Sequence, residues 1–291
     1  MTGFLKQLGR MAALVVVAGL CSALLLRYSP GALVDERQMD QRLSENSLAA
    51  LRAERAANAN VGANLLRYLR GLPGGDLGYS TSRNAPIAEL IGDAAPETLR
   101  ELAVGLIGGW LLGLGFAIPA GRFRQAWAYE AASVLAAGLL LSLPAALLAY
   151  FCFAAGAQVE IVLVLVLTPR IFQFARNLLV QAYGSAHVAM ARARGIGEMR
   201  ILAAHVIPAA GPQLLALVAA SASMAIGAAI PIEAICDVPG LGRLAWQAAM
   251  ARDLPLLVNL TMLVALATTI ALAASEELAH NGTQREAARA R

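Results

Sequence analysis

The sequence contains several long stretches without a charged residue, and these constrain the fold more than any other feature. Segments free of Asp, Glu, Lys, Arg and His run over Leu102–Gly121, Ala131–Val159, Val206–Ile232 and Leu254–Ser275, with a shorter one at Met11–Leu26. A helix needs about 20 apolar residues to cross the hydrocarbon core of a bilayer. The sequence therefore predicts an all-α polytopic membrane protein.

The composition supports this prediction and excludes other classes. Hydrophobic residues make up 58% and charged residues 14% of the 291 residues, whereas soluble domains have about 45–50% and about 25%. The chain is therefore neither an ordinary soluble globule nor a disordered protein. Its net charge of +4 comes from few, scattered charges, which does not indicate nucleic-acid binding.

The distribution of basic residues predicts the topology. A sixth candidate span, about 159–180, is apolar but carries Arg170 and Arg176, so hydropathy alone leaves it open. Six spans with a cytoplasmic N terminus put basic residues in every segment assigned to the cytoplasm, as membrane proteins prefer; five spans would place one end on the wrong side. The predicted helices cover about 8–27, 98–121, 128–154, 159–180, 207–230 and 254–275, and residues 282–291 form a cytoplasmic tail.

The first apolar run could be confused with a cleaved signal peptide, because Lys6 and Arg10 precede it. No small-x-small cleavage site follows Leu26, and Leu20 rather than a small residue precedes Cys21. We therefore expect an uncleaved helix. Residues 28–95 then form one long extracytoplasmic loop, either a small cap on the outer face or a docking surface for an external partner.

Residues 183–207 are the most informative segment assigned to the cytoplasm. An alanine-rich first half favours a helix, Gly195-Ile-Gly197 interrupts it, and Glu198 suits the first turn of a second short helix. Pro208 suits the first turn of the next span. The segment is predicted to be a helix–turn–helix at the membrane surface: an interfacial amphipathic hairpin or a protrusion that fits a cleft in a cytoplasmic partner.

This segment resembles the integral membrane permeases of ATP-binding-cassette (ABC) importers, specifically the dipeptide, oligopeptide and nickel permease family. In the peptide branch of that family, the centre of a cytoplasmic loop has the sequence Thr-Ala-Arg-Ala-Lys-Gly. This sequence has Met190-Ala-Arg-Ala-Arg-Gly195, with His205, Ile207 and Pro208 at the corresponding positions. The general loop pattern also has a glutamate where this chain has Ala189, so the resemblance is not complete.

Further blocks extend the resemblance along nearly the whole chain. Glu233-Ala-Ile-Cys-Asp-Val-Pro-Gly-Leu-Gly-Arg243, followed by Arg252-Asp-Leu-Pro255, is similar to the family's outer segment between the last two spans. Leu24-Leu-Leu-Arg-Tyr-Ser-Pro-Gly31 and Gly75-Asp-Leu-Gly-Tyr79 also match. Two departures are Gln181, at a position where an acid is common, and a short connection between the third and fourth spans.

The resemblance implies a permease subunit in the bacterial inner membrane that forms the translocation pathway for peptides or a related small solute. It implies as partners two cytoplasmic ATPase subunits that bind ATP and Mg²⁺, a second related permease and an extracytoplasmic substrate-binding protein. The chain itself is expected to bind no cofactor or metal and to be no enzyme, because it lacks a Walker A loop and hydrolase motifs. Its three cysteines lack metal-ligand spacing.

The resemblance also assigns site residues. The expected ATPase-coupling loop comprises Arg192, Ala193, Arg194, Gly195, Ile196, Gly197, Glu198, His205 and Pro208. Within it we expect Gly195 to set the turn and Arg192 or Arg194 to pair with acids on the ATPase. The family's outer motif comprises Glu233, Pro239, Gly240, Gly242, Arg243, Arg252 and Asp253. A lone histidine at a helix end is more often a cap or a solvent-facing group than a ligand.

Arg170 is a candidate pathway residue beyond the family pattern. It lies about ten residues below the outer end of the fourth predicted span, on the order of 15 Å deep. Such a guanidinium either contacts a polar pathway, where it would meet a peptide carboxylate, or, with the helix shifted or bent at Pro169, pairs with an acid or snorkels. Pro119 and Pro144 are candidate kinks in the second and third spans.

Two other functional classes compete with the permease hypothesis. An ion-coupled secondary transporter without ATPase partners is expected to have carboxylates in the interior of its spans or an internal repeat, and the charge-free segments that define the predicted spans contain no acid. A membrane-embedded enzyme is expected to have a paired nucleophile and base. The sequence does not identify the transported solute, nor whether the two permeases are identical.

Overall fold

The computed structural model describes residues 77–122 and 127–289, together with isolated residues 9, 13, 14, 17–21 and 24. Side chains are described neither at 121–127 and 130 nor beyond 278. Most of the predicted first helix and residues 28–76 of the predicted outer loop lie outside the described residues. The described residues between 9 and 24 are helical, as predicted for this segment.

The described chain is almost entirely helical. Its elements are β1 (Tyr79–Ser80), β2 (Ala85–Pro86), α1 (Ile87–Arg122), α2 (Trp127–Ser142), α3 (Ala145–Ala154), α4 (Val159–Tyr183), α5 (Ala186–Ala193), α6 (Glu198–Ile201), a π-helical turn (Leu202–Val206), α7 (Ile207–Cys236), α8 (Leu241–Met250) and α9 (Leu254–Arg289). These residues fall into two compact units. The first comprises Met1–Ala95 and Leu244–Leu266, and the second Pro96–Arg243 and Ala267–Arg291.

Three described helices are long and apolar enough to cross a membrane: Ile87–Ala120, Glu198–Cys236 and Leu254–Leu278. A fourth span results if the bent pair Ala131–Ser142 and Ala145–Ala154 counts as one. Helix α4 is not among these candidates, and it carries the charged residues that made the sixth span doubtful from the sequence. The count of six spans remains a prediction.

The helices extend beyond the predicted spans at several ends. Helix α1 begins at Ile87 instead of about residue 98 and contains Pro96 and Pro119. Helix α9 continues to Arg289, through most of the predicted cytoplasmic tail. The physical reason is that the absence of charge marks the part of a helix that lies in lipid, whereas polar residues continue the same helix into water.

The predicted third span, 128–154, is broken rather than continuous. Helices α2 and α3 meet at an angle of 95°. Pro144 has φ −59° and ψ 141° and caps α3. A proline disfavours the helical conformation of the residue before it, here Leu143, and has no N–H to donate. The expected kink at Pro144 is therefore a full break.

Close helix packing organises the core of the second unit. Helix α1 presents Gly105, Gly109 and Gly113 to α4, where a Cβ at Gly109 would lie 2.9 Å from the Leu167 Cβ, and one at Gly113 would lie 2.7 Å from the Ile171 Cγ2. Glycine lets the two backbones approach closely, as is common between membrane helices.

The first unit is organised by a small hairpin and by helix α9. Strands β1 and β2 pair antiparallel, with Tyr79 opposite Pro86 and Ser80 opposite Ala85. The Asn259 Nδ2 donates to the Leu77 carbonyl at 3.2 Å. A Cβ at Gly19 would lie 2.9 Å from the Met262 Sδ, which shows that the N-terminal helical residues pack closely on α9.

Candidate functional site

The hairpin of α5 and α6, which we call the coupling hairpin (Ser185–Val206) after the role that the sequence resemblance leads us to expect, turns where the sequence predicts. Helix α5 ends in a Schellman motif: the Ile196 N–H donates to the Ala191 carbonyl at 3.2 Å and the Gly195 N–H to the Arg192 carbonyl at 2.9 Å. Gly195 has φ +73°, a conformation in which a Cβ is strained. Gly197 has φ −64° and begins α6 as its N-cap, so only the first of the two glycines is required by backbone geometry.

An ion pair joins the two arms of the coupling hairpin. The Arg192 Nε donates to the Glu198 Oε1 at 2.8 Å, and its Nη2 donates to Oε2 at 3.3 Å. The Arg192 guanidinium also lies 5.8 Å from the centre of the Tyr183 ring, within cation–π distance. Arg192 is therefore engaged within the hairpin. Arg194 is exposed, and its guanidinium has no ion pair or hydrogen bond to any residue that the structure describes.

One side of the coupling hairpin is part of the core. Val188, Ala191 and Ile201 are almost fully buried and pack with Ala175 and Leu179 of α4. Close-packed interiors have low compressibility, so these contacts resist deformation. The hairpin is thus fastened rigidly to the helices that follow and precede it.

The opposite side of the coupling hairpin is exposed and partly apolar. Met199 has 70% and Met190 58% of its surface exposed, and Ala193, Arg194 and Arg200 are exposed beside them. Methionine is frequent at surfaces that bind partners, because its flexible side chain fits irregular grooves. The exposed face combines basic charge, small residues and methionine, which suits a protein partner better than water alone.

A π-helical turn connects α6 to α7 and was not predicted. The Ile207 N–H donates to the Leu202 carbonyl five residues earlier. Pro208, in the first turn of α7 as expected, has no N–H and its ring would clash with the Ala204 carbonyl in a regular α-helix. The wider turn accommodates this proline without interrupting the helix, so that the hairpin and α7 form one continuous body.

His205 lies in this π-helical turn and is half-buried. Its ring centre is 6.3 Å from that of His187, and the His187 Nε2 lies 3.3 Å from the Ser185 Oγ. No group of three or more His, Cys, Asp and Glu side chains suited to a metal ion occurs in the described part of the chain. The two rings pack on each other at the base of the hairpin.

The outer motif of the second unit folds around the Glu233 carboxylate. Glu233 is fully buried, and its Oε2 accepts a hydrogen bond from the Gly242 N–H at 2.6 Å. A Cβ at Gly240 would overlap this carboxylate, and one at Gly242 would lie 2.6 Å from the Ile230 Cα. The glycines of the Pro239-Gly-Leu-Gly242 sequence are therefore required by space, not by positive φ.

Charged residues on the outside of this turn pair with each other. The Arg243 Nε lies 2.8 Å from the Asp237 Oδ1, and its Nη1 donates to the Asp237 carbonyl at 3.0 Å. Asp237 adopts a left-handed conformation with φ 57° at the end of α7. Helix α7 and the start of α8 are thus joined by a short, closed turn, in which Arg243 has a structural role.

In the first unit, Asp253 organises a second closed structure. It is fully buried, and its Oδ2 accepts hydrogen bonds from the Ser80 Oγ at 2.5 Å, the Ser82 N–H at 2.9 Å and the Ser82 Oγ at 2.7 Å. Its Oδ1 accepts from the Leu256 N–H at 3.2 Å, which caps α9. Burial alone would raise the pKa of Asp253, but these hydrogen bonds lower it below the ordinary value of 3.8.

Sequence reasoning missed the serine partners of Asp253, although the Gly75–Tyr79 block that precedes them matched the family. The signal was available as Ser80-Thr-Ser82, hydroxyl residues directly after that block. Arg252, the neighbouring residue of the outer motif, has φ 54° and occupies the left-handed position that ends α8, where the Asp253 N–H donates to the Ala248 carbonyl at 2.8 Å.

Arg170 lies on the exposed side of α4, and its guanidinium has no ion pair or hydrogen bond to a described residue. The alternative in which it pairs with an acid is therefore not seen among these residues. Phe174, Asn177 and Gln181 are exposed at helical spacing from it, so they share its face. This face of α4 carries three polar side chains and is suited to a polar pathway or a partner subunit.

A buried acid that the sequence analysis overlooked lies in α1. We expected no acid inside the spans, but Glu101 is 1% exposed and lies within the candidate span Ile87–Ala120, and Glu233 lies near the end of another. This expectation was wrong because both acids border the charge-free segments. A signal was present: Gly105 and Gly109, four and eight residues after Glu101, mark the same buried helix face.

Comparisons with known proteins agree with the helical fold. The family described as the binding-protein-dependent transport system inner membrane component matches residues 109–279. A putative peptide permease protein of Brucella ovis is 25% identical over 282 residues, covering 87% of each chain. The nickel import system permease protein NikB of Staphylococcus aureus is 23% identical over 269 residues, covering 87% of this chain and 82% of NikB.

Among solved structures, an inward-facing form of the MetNI methionine ABC transporter has a similar fold. The TM-score is 0.61 with 18% sequence identity, and the match covers 66% of this chain and 96% of the other. This similarity concerns the fold alone.

Proposed function

Because this chain belongs to the family of binding-protein-dependent transport system inner membrane components, we propose that it forms the translocation pathway for peptides or a related small solute and couples to two cytoplasmic ATPase subunits. Its relatives include a putative peptide permease of Brucella ovis and a nickel import permease of Staphylococcus aureus, which supports a small polar solute as cargo. A second permease subunit and an extracytoplasmic substrate-binding protein complete the proposed transporter.

The observation that carries this proposal is the two-sided coupling hairpin. Its inner side is packed on α4 and α7, while its outer side exposes Met190, Arg194 and Met199. Closure of the ATPases on ATP would push on the outer side and move α4 and α7 as rigid elements. Such rigid-body motion alternates the access of a central pathway between the two sides of the membrane. ATP and Mg²⁺ are bound by the partners in this proposal.

Within this mechanism, Arg194 and not Arg192 is the cation that pairs with an acid on the ATPase. Arg192 is already paired with Glu198 inside the hairpin. Arg170 and the polar side chains below it on α4 are proposed to line the pathway, where a guanidinium binds a carboxylate of the cargo. In the topology predicted from the sequence, both termini lie in the cytoplasm.

Affinity purification of the tagged chain in mild detergent, with identification of co-purified proteins and an ATP hydrolysis assay, tests the coupling. We expect two ATPases and a second permease. The Met199→Glu variant should be purified without the ATPases, because the substitution puts a negative charge at the centre of the exposed face of the hairpin. Met250→Glu is the matched control, since Met250 is 64% exposed but lies in α8, away from the hairpin in sequence. Recovery of the chain without any ATPase in several detergents would favour an ion-coupled secondary transporter instead.

Uptake measurements with Arg170→Gln test the pathway assignment. We expect uptake of anionic cargo to fall while uptake of neutral cargo is retained, because only the former loses a charge-assisted hydrogen bond. Arg83→Gln, at an exposed arginine between β1 and β2 that lies outside the hairpin and α4, is the control for a general loss of positive charge. Equal uptake of both kinds of cargo by Arg170→Gln would contradict the assignment.

A further inference from the structure

Two carboxyl groups meet inside the second unit and have no role in the proposed coupling. Glu101 of α1 is 1% exposed, and Glu233 of α7 is fully buried. Helix α1 contacts the turn around Glu233 one helical turn before Glu101, where the Leu241 N–H donates to the Thr98 Oγ1 at 2.8 Å, and the two carboxyl groups lie within interaction distance of each other. A fully buried carboxylate is costly unless a cation or several hydrogen bonds compensate its charge. The surroundings of the two groups show which of these is present.

The hydrogen bonds around the pair leave three oxygens without a donor. The Glu233 Oε2 accepts from the Gly242 N–H at 2.6 Å. The Glu233 Oε1 and both Glu101 carboxyl oxygens have no hydrogen-bond partner among the described residues. The nearby Leu241 N–H does not help, because it donates to the Thr98 Oγ1 at 2.8 Å. The Thr98 side chain and the Arg243 N–H also hydrogen-bond to the Glu233 carboxylate, so the lack of donors is greatest at Glu101, where neither oxygen has one.

In the part of the chain that the structure describes, no cation compensates the pair either. Arg100, one residue from Glu101, lies 3.3 Å from Glu160 and 3.6 Å from Glu97, and 65% of its side chain is exposed. The other titratable groups that act on Glu101 are Glu97, Glu160 and the Cys236 thiol. None of these is positively charged, and the Arg243 guanidinium pairs with Asp237.

We propose that Glu101 and Glu233 share one bound proton, so that the site is a proton-binding site between α1 and α7. Glu101 carries the proton and donates it in a hydrogen bond to the Glu233 Oε1. This single proton satisfies an orphaned oxygen on each side and reduces the buried charge of the pair from two to one. Two adjacent carboxyl groups in a buried site ordinarily hold one proton between them for this reason.

The shared proton holds three elements together. It joins Glu101 of α1 to Glu233 of α7, and Glu233 in turn holds the Pro239–Gly242 turn through the Gly242 N–H. Removal of the proton at alkaline pH leaves two charges side by side, which separates α1 from α7. In the predicted topology this site lies at the outer ends of both helices, so the pH outside the membrane sets its occupancy.

Infrared spectroscopy of the purified full-length chain detects the proton directly. We expect a carboxylic-acid carbonyl band that remains at neutral pH and disappears at alkaline pH. The band should be absent in Glu101→Gln and retained in Glu97→Gln, which removes a neighbouring acid paired with Arg100. Absence of the band from the wild-type protein at every pH, or its retention in both single variants Glu101→Gln and Glu233→Gln, would overturn the proposal.

Thermal unfolding followed by tryptophan fluorescence measures the consequence. As the pH is raised and the proton leaves, the wild-type melting temperature should fall by about 4 °C or more. The melting temperatures of Glu97→Gln and Cys236→Ser should fall in the same way. Glu101→Gln should not show this fall, because its amide N–H replaces the O–H as a permanent donor. The proposal fails if the melting temperature of Glu101→Gln falls at alkaline pH as that of the wild type does. It also fails if Na⁺ or Ca²⁺, at constant ionic strength, restores the alkaline melting temperature, since the pair then binds a metal cation.

Discussion

The coupling hairpin and the outer motif are both helical turns that depend on glycine, yet they use glycine for opposite reasons. Gly195 of the hairpin has positive φ and open space around it, whereas Gly240 and Gly242 of the outer motif have ordinary backbone angles and no space. The hairpin exposes its ion pair, but the outer motif encloses the Glu233 carboxylate. The first is a surface for contact, and the second is a closed joint.

The largest expected effect is on the closed joint. Gly242→Ala places a Cβ 2.6 Å from the Ile230 Cα and 2.9 Å from the Ile230 carbonyl oxygen. Backbone atoms cannot move aside as a flexible side chain can, so we expect a loss of about 3 kcal/mol in the free energy of unfolding. Thermal unfolding in detergent measures this loss.

The matched control for Gly242→Ala is Gly211→Ala, because a Cβ at Gly211 of α7 meets nothing within 4 Å. Alanine favours a helix over glycine by about 1 kcal/mol, so this control should unfold at the same or a higher temperature. If both variants lose stability equally, lack of room for a side chain is not the reason for glycine in the outer motif. The contrast with the hairpin would then be wrong.

Asp253 extends the comparison to a buried carboxylate of the first unit. Asp253→Asn removes the charge that four hydrogen bonds from Ser80, Ser82 and Leu256 compensate, and should cost about 2 kcal/mol. Since folding lowers the pKa of Asp253, its contribution is complete above the unfolded value of 3.8 and is lost as the pH falls through the folded value.

Unfolding of wild-type protein and Asp253→Asn over acidic pH checks this sign. The two curves should converge as the pH falls below the ordinary pKa of an aspartate. Asp237→Asn, at an exposed ion pair in the outer turn, is the control for a general loss of negative charge. A difference that grows as the pH falls would contradict the assignment of the hydrogen bonds to the ionised carboxylate.

Gly195→Val tests the open turn, and its main effect should be on coupling. A β-branched residue at φ +73° costs about 1–2 kcal/mol, which leaves the protein inserted but displaces the hairpin. We expect ATP-dependent uptake by the assembled transporter to fall to background. Gly197→Val is the control because Gly197 has φ −64°. Normal uptake by Gly195→Val would show that the turn geometry does not transmit the motion.

The smallest expected effect concerns the exposed ion pair. Arg192→Gln should lower the free energy of unfolding by at most about 1 kcal/mol, because side chains that are 44% and 31% exposed gain little from pairing in water. The difference from wild type should shrink at high salt. A large loss that salt does not change would mean that Arg192 acts through its packing on Tyr183.

The elements that depend on local sequence were predicted well. The break at Gly195, the helix start at Glu198 and the position of Pro208 follow from propensity and backbone conformation, and the structure has all three. The helix ends were predicted poorly, because a charge-free segment marks the part of a helix that lies in lipid and not the ends of the helix itself. Helix α1 extends far before residue 98 for this reason. The role of the predicted coupling-loop residues remains a prediction.

The contacts between distant residues required the structure. Nothing in the spacing of Ser80 and Asp253, 173 positions apart, indicates that they bond. The same holds for Glu101 and Glu233, which lie on different helices. Sequence periodicity identifies the face of a helix that is buried but not the side chain that it meets.

The sequence by itself determined the class of the protein, because uncharged segments of this length fold only as helices in lipid, and it determined the family through the hairpin and outer motifs. Tertiary structure alone decided which charges are enclosed and which are presented. Arg192 is paired and Arg194 is exposed although both are arginines of one short helix end. Burial and partners depend on how helices pack, and packing is a property of the whole fold.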